Sequence, residues 1–393
     1  MHADTPEMPS KREDPLGLPV GLEVFRDGPP AKVRMADGST TWLVGRHADA
    51  RSVLADPRIS ADDTHPAYPK LLPVPAEKGA LSFLRFDDPE HGRMRRMLAA
   101  EFTVRRTNAL RPSIEEAVDR LLDDMLAKDG PADLVADFAL PLPSLVICVL
   151  LGVPYADHGF FQRASLEFLN VEADPAIAIA AAERLQEYLT RLIAAKVADP
   201  TDDLLGRVAA AQVVPGHLTE EELVLMARLL LIAGHETTAN MLSLGTLLLL
   251  KSPDQLARLA ADAPAVTEEL LRHLSIVHFG LPRTAREPVE VGGVTIGAGE
   301  GLVVSLSAAN RDGAHFAGDP EAFDAAREPG HHVAFGFGAH QCIGAALARL
   351  EMNIALPRLF ARAPGLALAI PPEDVVFRPE QFVYGIAALP VTW

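Results

Sequence analysis

A long apolar segment near the middle of the chain sets the strongest limit on the fold. LVLMARLLLIAGHETTANMLSLGTLLLL, residues 223–250, is long enough to cross a bilayer, which takes about 20 apolar residues. Its centre, however, contains His235, Glu236 and Asn240, and ionisable side chains in lipid cost several kcal/mol. We therefore interpret the segment as a helix buried inside a large soluble protein.

Both ends of this predicted helix carry helix signals. Thr219 and Glu222 have the spacing of a capping box, and Lys251-Ser252-Pro253 ends the helical pattern. The helix would have roughly 30 residues and a length of about 45 Å at 1.5 Å per residue. Because this length matches the diameter of a whole domain, we expect the helix to run through the centre of the fold.

The rest of the sequence predicts a mainly α-helical protein with small β-sheets. Alternating runs around Asp37-Gly38 and Gly292-Gly293 indicate two hairpins. No linker, internal repeat or run of like charge divides the chain, so we expect a flexible arm over residues 1–14 and one domain over residues 15–393. Helical periodicity marks residues 89–102, 111–128, 176–197, 263–275 and 344–363.

Charge and cysteine content narrow the class of protein. The chain has 36 Lys and Arg against 53 Asp and Glu, a net charge of −17, which argues against a nucleic-acid partner. Two distant cysteines, Cys148 and Cys342, supply neither a disulfide framework nor a four-cysteine zinc site. The polar N-terminal residues do not resemble a signal peptide. We expect a cytoplasmic monomer without a membrane partner.

The segment FGFGAHQCIG, residues 335–344, surrounds Cys342 with glycines. Helical periodicity begins at Gly344, so the positive end of a helix would favour a thiolate, which is a metal ligand. The glycines leave room for a flat, bulky group, beside which Phe335 would pack. Three interpretations remain open from these residues alone: an inert buried cysteine, a haem thiolate, or a zinc site formed with His331, His332 and His340.

Several motifs together resemble the cytochrome P-450 superfamily. Its haem-binding signature matches Phe335, Gly338, His340, Cys342 and Gly344 without a gap. The segment AGHETT, residues 233–238, resembles the oxygen-activating part of that family's central helix, and EELLR, residues 268–272, contains its Glu-x-x-Arg pair. The resemblance runs from about residue 15 to the last residues and is nearest to the soluble actinobacterial enzymes that receive electrons from ferredoxin.

The resemblance implies a cytochrome P-450 fold, with haem b between the long central helix and the helix that follows the cysteine loop. It makes Cys342 the proximal iron ligand and Glu236 and Thr237 the catalytic acid and alcohol. Glu269, Arg272 and Arg327 correspond to the family's structural ion cluster, which stabilises the cysteine loop. The implied contacts to the propionates are His91, Arg95, Arg283, His332 and His340. The other implied cofactor contacts are Ala233, Gly234, Phe335, Gly336 and Gly344.

Helical spacing gives the central helix an apolar face that leads to the acid and the alcohol. Leu229, Ile232 and Ala233 share this face with Glu236 and Thr237. Mainly apolar residues are expected to line the substrate pocket, which favours a medium-to-large lipophilic molecule. The predicted lining residues are Phe83, Leu84, Leu229, Ile232, Ala233, Val277, Phe279, Val383 and Tyr384.

The implied activity is that of a haem-thiolate monooxygenase, which inserts one atom of O2 into a natural product or xenobiotic. Electrons would come from NAD(P)H through a reductase and a ferredoxin, and the basic segment HGRMRRMLAAEFTVRR, residues 91–106, would bind the ferredoxin. A peroxide-driven haem-thiolate enzyme and a non-catalytic haem sensor remain as alternatives. The intact Glu236-Thr237 pair favours the monooxygenase.

Overall fold

The computed structural model describes residues 5–72, 82–328 and 330–393, and about half of the chain is helical. The described helices are α1 Glu23–Asp27, α2 His47–Ala55, α3 Glu90–Ala99, α4 Val104–Ala109, α5 Arg111–Leu126, α6 Pro141–Leu151, α7 His158–Leu169, α8 Pro175–Ala198, α9 Leu204–Val208, α10 Glu220–Lys251, α11 Pro253–Leu259, α12 Ala263–Leu274, α13 Leu306–Ala309 and α14 Ala345–Arg362. The prediction of a mainly α-helical fold is confirmed.

The central helix, α10, has the predicted bounds. Thr219 accepts a hydrogen bond from the Glu222 amide, the Glu222 carboxylate accepts one from the Thr219 amide, and the helix ends at Lys251. α10 packs against α6, α8 and α14, and its apolar side chains form the middle of the largest hydrophobic core. The charged and polar centre of α10 is therefore inside the protein.

Membrane insertion was the alternative that the apolar segment raised. Among the described helices, α10 included, none combines the length and apolar character that crossing a bilayer requires.

The strands form small sheets at the side of the helical body. The largest sheet has the order β1-β2-β8-β5-β3, and the predicted hairpins are β1 with β2 and β6 with β7. A second hydrophobic core lies under this sheet. The described strands are β1 Ala31–Arg34, β2 Thr40–Val44, β3 Ile59–Ser60, β4 Ala132–Asp133, β5 Leu281–Ala285, β6 Val289–Val291, β7 Val294–Ile296, β8 Gly301–Val304, β9 Ala367–Leu368 and β10 Pro390–Thr392.

The N-terminal arm, predicted as a flexible segment over residues 1–14, makes backbone contacts with the rest of the protein. Of these residues, 5–14 are described, and they are bound to the body of the protein. The Met8 amide donates to the Arg34 carbonyl over 2.9 Å, and the Arg34 amide donates to the Pro6 carbonyl over 2.7 Å. Further along, the Val20 amide donates to the Lys11 carbonyl. These backbone bonds attach the arm to strand β1 and to the residues that follow the arm.

Candidate active site

The cysteine predicted as the iron ligand lies in a turn shortly before α14. The Cys342 amide donates to the Phe335 carbonyl over 2.9 Å. Gly338 permits the turn, because its φ is +74° and a Cβ would lie 2.3 Å from the Leu54 carbonyl oxygen. The Cys342 side chain is exposed although protein surrounds it, so its accessible surface faces a cleft within the fold. The sulfur is available to a group that enters this cleft.

Opposing effects act on the Cys342 thiol. Burial raises its pKa, whereas the amides of Gly344 and Ala345 and the charges of Arg95 and Arg349 lower it. Burial is the largest of these effects, so the thiol keeps its proton in the chain alone. The expected influence of the helix N-terminus is present but smaller. A metal cation would displace the proton, because a thiol that coordinates a metal is deprotonated.

The structure assigns His332 to a different contact from the propionate that we expected. Its Nε2 lies 3.0 Å from Oε2 of Glu268, and Arg349 donates to both oxygens of the same carboxylate. Burial alone would raise the pKa of Glu268, but the hydrogen bonds from His332 and Arg349 lower it to about 2. Arg349 also lies over the ring of Phe335, 4.6 Å from its centroid. This triad therefore supports the cysteine loop.

The predicted ion cluster is complete within the protein. Arg272 donates to both oxygens of Glu269 at 2.6 and 2.7 Å, and Arg327 Nε lies 3.5 Å from Oε1 of the same carboxylate. The Arg272 guanidinium also donates to the carbonyls of Asn310, Pro320 and Ala322. The Asn310 side chain in turn accepts from the Val333 amide. The cluster reaches the cysteine loop through Asn310 rather than directly.

Four of the predicted propionate contacts lie together. The rings of His91 and His340 have centroids 4.0 Å apart. Burial, followed by the charges of Arg283, His91 and Arg95, lowers the pKa of His340 to about 2. Arg283 is 5% exposed, and it forms no ion pair with any residue in the described ranges. His91 Nε2 is buried without a hydrogen-bond partner. Positive charge is thus concentrated here without an obvious counter-charge.

Arg85 belongs to the same cluster and was missed by the sequence analysis. It ends the short 3-10 turn Ser82–Arg85, is 8% exposed, and its nearby charge is among those that lower the pKa of His340. Burial, followed by the charge of Arg283, lowers the pKa of Arg85 to about 10. Arg85 contacts the Tyr68 hydroxyl, but its Nε has no hydrogen bond and lies 3.8 Å from Asp63. No motif marks this arginine in the sequence.

The residues of this region fit haem b. Buried charges are normally paired, so two propionate carboxylates would complete the underpaired arginines and would accept hydrogen bonds from the neutral histidines His91 and His340. The accessible sulfur of Cys342 would supply the thiolate that holds the haem iron. Gly336 has a φ of +70°, and the Cα of Gly344 lies close to the sulfur, since a Cβ there would be 3.9 Å from Sγ. The loop therefore leaves space beside the sulfur for a flat ring.

On α10, the predicted apolar face is divided in two. Leu229, Ala233 and Thr237 form an accessible stripe in the middle of an otherwise buried helix, whereas Ile232 and Glu236 are buried beside it. Thr237 Oγ1 donates to the Ala233 carbonyl over 2.7 Å. The accessible stripe is the side of α10 that a ligand can contact.

Gly234 has a different physical reason from the one we expected. A Cβ at this position would lie 2.7 Å from Cδ1 of Ile147 on α6. The small residue therefore allows α6 and α10 to pack closely, whatever its relation to oxygen.

The buried Glu236 has one polar neighbour, His235. Nδ1 of His235 lies 2.7 Å from the Leu231 carbonyl oxygen, which can only accept, so we assign the proton to Nδ1. His235 Nε2 then faces Glu236 Oε1 at 3.4 Å, and neither atom has another hydrogen-bond partner within the described part of the chain. The two groups are positioned to share a proton.

A short ladder between residues 276–278 and 382–384, which we name the wall ladder, carries the predicted pocket residues Val277 and Val383. These two residues are paired in an antiparallel bridge, the Tyr384 amide donates to the Ile276 carbonyl, and the His278 amide donates to the Phe382 carbonyl. Successive residues of a strand point to opposite faces. Tyr384 therefore lies on the other face from Val383.

The ring of Tyr384 packs among Arg12, His278 and Phe377. The structure therefore places the Tyr384 ring away from the pocket lining in which we predicted it. Of the remaining predicted lining residues, Leu84, Val277 and Phe279 are half-buried, while Phe83 is buried with its ring 6.3 Å from that of His91.

The zinc alternative lacks a suitable arrangement. In the parts of the chain that the structure describes, no three His, Cys, Asp or Glu side chains are placed to hold a metal ion. Two of the three candidate histidines, His332 and His340, have other contacts through their rings, and His331 is bonded through its backbone. The His331 carbonyl accepts from His47, His332 bonds Glu268, and His340 packs on His91.

Comparison with known proteins gives a consistent assignment. The Cytochrome P450 family profile matches residues 263–362. Pentalenic acid synthase from Streptomyces avermitilis is 50% identical over 393 residues, covering 98% of this chain and 96% of that protein. Cytochrome P450-SU2 from Streptomyces griseolus is 49% identical over 376 residues, covering 94% and 92%.

Solved structures agree over the whole chain. The crystal structure of mycinamicin VIII C21 methyl hydroxylase from Micromonospora griseorubida, bound to mycinamicin VIII, is similar with a TM-score of 0.92 and 41% identity, and the match covers 99% of this chain and 100% of that one. With near-complete coverage by relatives of such identity, the chain belongs to the cytochrome P450 family of monooxygenases.

Proposed function

We propose that this protein hydroxylates a lipophilic natural product with electrons that NAD(P)H delivers through a ferredoxin reductase and a ferredoxin. The observation that carries the proposal is the accessible sulfur of Cys342 near underpaired buried arginines, Arg283 and Arg85, and the buried neutral histidines His91 and His340. When bound, haem supplies the activation of O2 that no side chain can provide. The steps left to the chain are to hold the haem, bind substrate, exclude water and deliver protons.

Holding the haem requires an axial ligand and counter-charges for two carboxylates. Cys342 would provide the thiolate ligand. Arg283 and Arg95 would provide the cations, and the neutral rings of His91 and His340 would provide hydrogen-bond donors. Burial makes their interaction with the propionates stronger than it would be in water.

Protons are delivered by Glu236 and Thr237. Thr237 Oγ1 donates its own proton to the Ala233 carbonyl, so its lone pairs are free to accept from a donor and to fix the position of that donor. The Glu236 carboxyl, which His235 faces at 3.4 Å, is the proton source beside it. General acid–base positioning of this kind typically contributes about 10²–10⁴-fold.

Substrate binding depends on apolar contacts. Leu229 and Ala233 on the accessible stripe, with Val277 and Val383 on the wall ladder, present hydrocarbon rather than charge. The names of the relatives support a natural product: they refer to pentalenic acid, vitamin D3 and mycinamicin VIII. These compounds are suitable first probes for a substrate-induced spectral change.

The electron carrier is proposed to bind near α3 and α4. Arg95 on α3 donates to the Gln341 carbonyl, next to Cys342, which brings this helix to the cysteine loop. Arg96, Arg105 and Arg106 are exposed, as is Val104. Since exposed charges are screened over about 8–10 Å at physiological ionic strength, reduction by an acidic ferredoxin should slow with added salt, and further with Arg96→Glu.

The decisive experiment measures product formed and peroxide released per NAD(P)H oxidised in a reconstituted chain. Thr237→Ala retains the helix, because Ala has the highest helix propensity, and should retain haem content and substrate binding. It should lose most of the coupling between NAD(P)H oxidation and product. Efficient turnover with hydrogen peroxide alone would instead favour a peroxide-driven enzyme. Haem binding without turnover in either assay would favour a sensor.

A further inference from the structure

The N-terminal arm places a buried arginine behind the wall ladder. The Arg12 guanidinium carbon lies 4.5 Å from the centroid of the Tyr384 ring, and Nη2 donates to Nδ1 of His278 over 3.3 Å. Nη1 donates to the Gly17 carbonyl, and Nε is buried without a partner. Arg12 forms no ion pair with any other residue in the described ranges. Its contacts are therefore with the ladder and with its own segment.

The protonation states of these groups suit the contact. Burial, aided by the charge of Arg12, lowers the pKa of His278 to about 3, so this histidine is neutral at neutral pH and can accept a hydrogen bond. Burial lowers the pKa of Arg12 to about 10, which leaves the arginine charged. Burial also raises the pKa of Tyr384 to about 12, so its ring stays neutral. The ring thus remains a good surface for a cation.

Arg12 is held in place from both sides. Before it, Met8 and Pro6 are bonded to Arg34 of strand β1, and after it the Val20 amide donates to the Lys11 carbonyl. Its planar guanidinium contacts one residue from each strand of the wall ladder, His278 from one and Tyr384 from the other. A planar group that stacks on one strand and donates to the other fixes the distance between them.

The alternation of side chains connects this contact to the substrate pocket. His278 and Tyr384 point to the outer face of the ladder, so the paired residues between them, Val277 and Val383, point to the inner face. On the other side of the loop, Gly385 lies so close to α10 that a Cβ would be 1.7 Å from Oδ1 of Asn240. The ladder is thus confined between Arg12 and α10.

We propose that Arg12 is a positioning residue for substrate selection, which sets how far Val277 and Val383 project into the pocket by holding the outer face of the wall ladder. This inference rests on the proposed function, because it takes the inner face of the ladder as a substrate wall. The affinity for a lipophilic ligand that is large enough to reach the wall ladder therefore depends on Arg12, whereas the affinity for a small ligand of the iron does not.

The test compares two azoles that bind haem iron in the purified holoenzyme, imidazole and the larger 4-phenylimidazole, by spectral titration. Arg12→Met keeps the length and apolar stem but removes the planar cation. Because the desolvated cation–π contact is lost, we expect the Kd for 4-phenylimidazole to rise about 5–10-fold, which corresponds to about 1–1.4 kcal/mol, with imidazole changed less than about 2-fold. Lys11→Met, an exposed neighbour in the same arm, is the matched control and should bind both azoles normally.

Three outcomes overturn the proposal: unchanged binding of both azoles in Arg12→Met, equal weakening of both, or the same change in Lys11→Met. If Arg12→Met does not fold, Tyr384→Leu removes the ring from the other side and should give the same selective loss, while Tyr384→Phe keeps the ring and should bind normally. Azole binding requires haem but no turnover. If the wild-type protein does not hydroxylate but Arg12→Met selectively weakens 4-phenylimidazole binding, the proposed function alone is refuted. If the wild-type protein hydroxylates but Arg12→Met shows no selective weakening, this inference alone is refuted.

Discussion

Two groups of buried arginines in this protein differ in what neutralises them. Arg272 donates to both oxygens of Glu269 and to backbone carbonyls, so the chain alone satisfies it. Arg283 donates to the Pro282 carbonyl and Arg85 to Tyr68, and neither has a carboxylate within hydrogen-bond distance among the residues described. The first arrangement is finished when the protein folds. The second would be completed by an anionic group, so the underpaired arginines of this region indicate a ligand.

The largest effect on stability is expected when the ion pair between Arg272 and Glu269 is removed. Arg272→Ala leaves the Glu269 carboxylate buried without its main partner, which should lower the free energy of unfolding of the haem-free protein by about 3–5 kcal/mol. Urea unfolding followed by far-UV circular dichroism measures this. Arg286→Ala, an exposed arginine near Arg283, is the control and should change little. A loss as small as that of the control would mean that Arg272 is not part of the folding core.

Arg283→Ala should give the reverse pattern. The haem-free protein should be as stable as wild type or more stable, because the substitution removes an underpaired buried charge. Haem should dissociate about 30–1000-fold faster, as expected for about 2–4 kcal/mol from one partner of a buried charge pair. Transfer of haem to apomyoglobin measures the rate. Destabilisation of the haem-free protein comparable to that of Arg272→Ala would remove the distinction between the two clusters.

Arg85→Gln sharpens the comparison, since no family motif marks this residue. We expect haem to dissociate about 10-fold faster, the effect of one lost hydrogen bond to a charged group. The matched experiment repeats the measurement with haem dimethyl ester, whose propionates carry no charge. The difference between wild type and Arg85→Gln should then largely disappear. If the difference persists with the ester, Arg85 stabilises the haem pocket by packing and does not bind a propionate.

The smallest effect is on the pH dependence of stability. Without haem, burial and the neighbouring cations lower the pKa of His340 to about 2, whereas an unfolded histidine titrates near 6.5. Below about pH 6.5 the unfolded state binds more protons, so stability falls as the pH falls, with a slope of about 1 kcal/mol per pH unit from this residue. His340→Gln should flatten the slope in urea titrations between pH 6.5 and 4.5. Equal slopes in variant and wild type would place the titration at other histidines.

Regular elements could be predicted from the sequence because their signals are local. Thr219, Glu222 and Pro253 gave the bounds of α10, and Gly292-Gly293 gave a hairpin. The pairing of Glu269 with Arg272 could be predicted because both lie in a motif with fixed spacing. The role of Cys342 as iron ligand, predicted from a motif of the same kind, stays a prediction.

Contacts between distant segments could not be predicted in the same way. His332 bonds to Glu268, 64 positions away. The direction in which the Tyr384 side chain points depends on the pairing of its strand with residues 276–278. Arg85 lies in a short turn without periodicity, so nothing local distinguishes it from a surface arginine. The contacts of the N-terminal arm were missed because Arg12 is charged and adjoins exposed polar residues, although its own side chain is buried against Tyr384.

The close approach of Gly385 to Asn240 has a consequence for how such an enzyme can change its substrate during evolution. Any side chain at position 385 would collide with Asn240 and displace the loop from α10. Val383, two residues earlier, already carries a side chain on the inner face of the wall ladder, so a change of side chain there does not require the loop to leave α10. A directed-evolution library should therefore randomise Val383 and Phe279 and leave Gly385 fixed, because a substitution at position 385 would move the backbone that positions Val383.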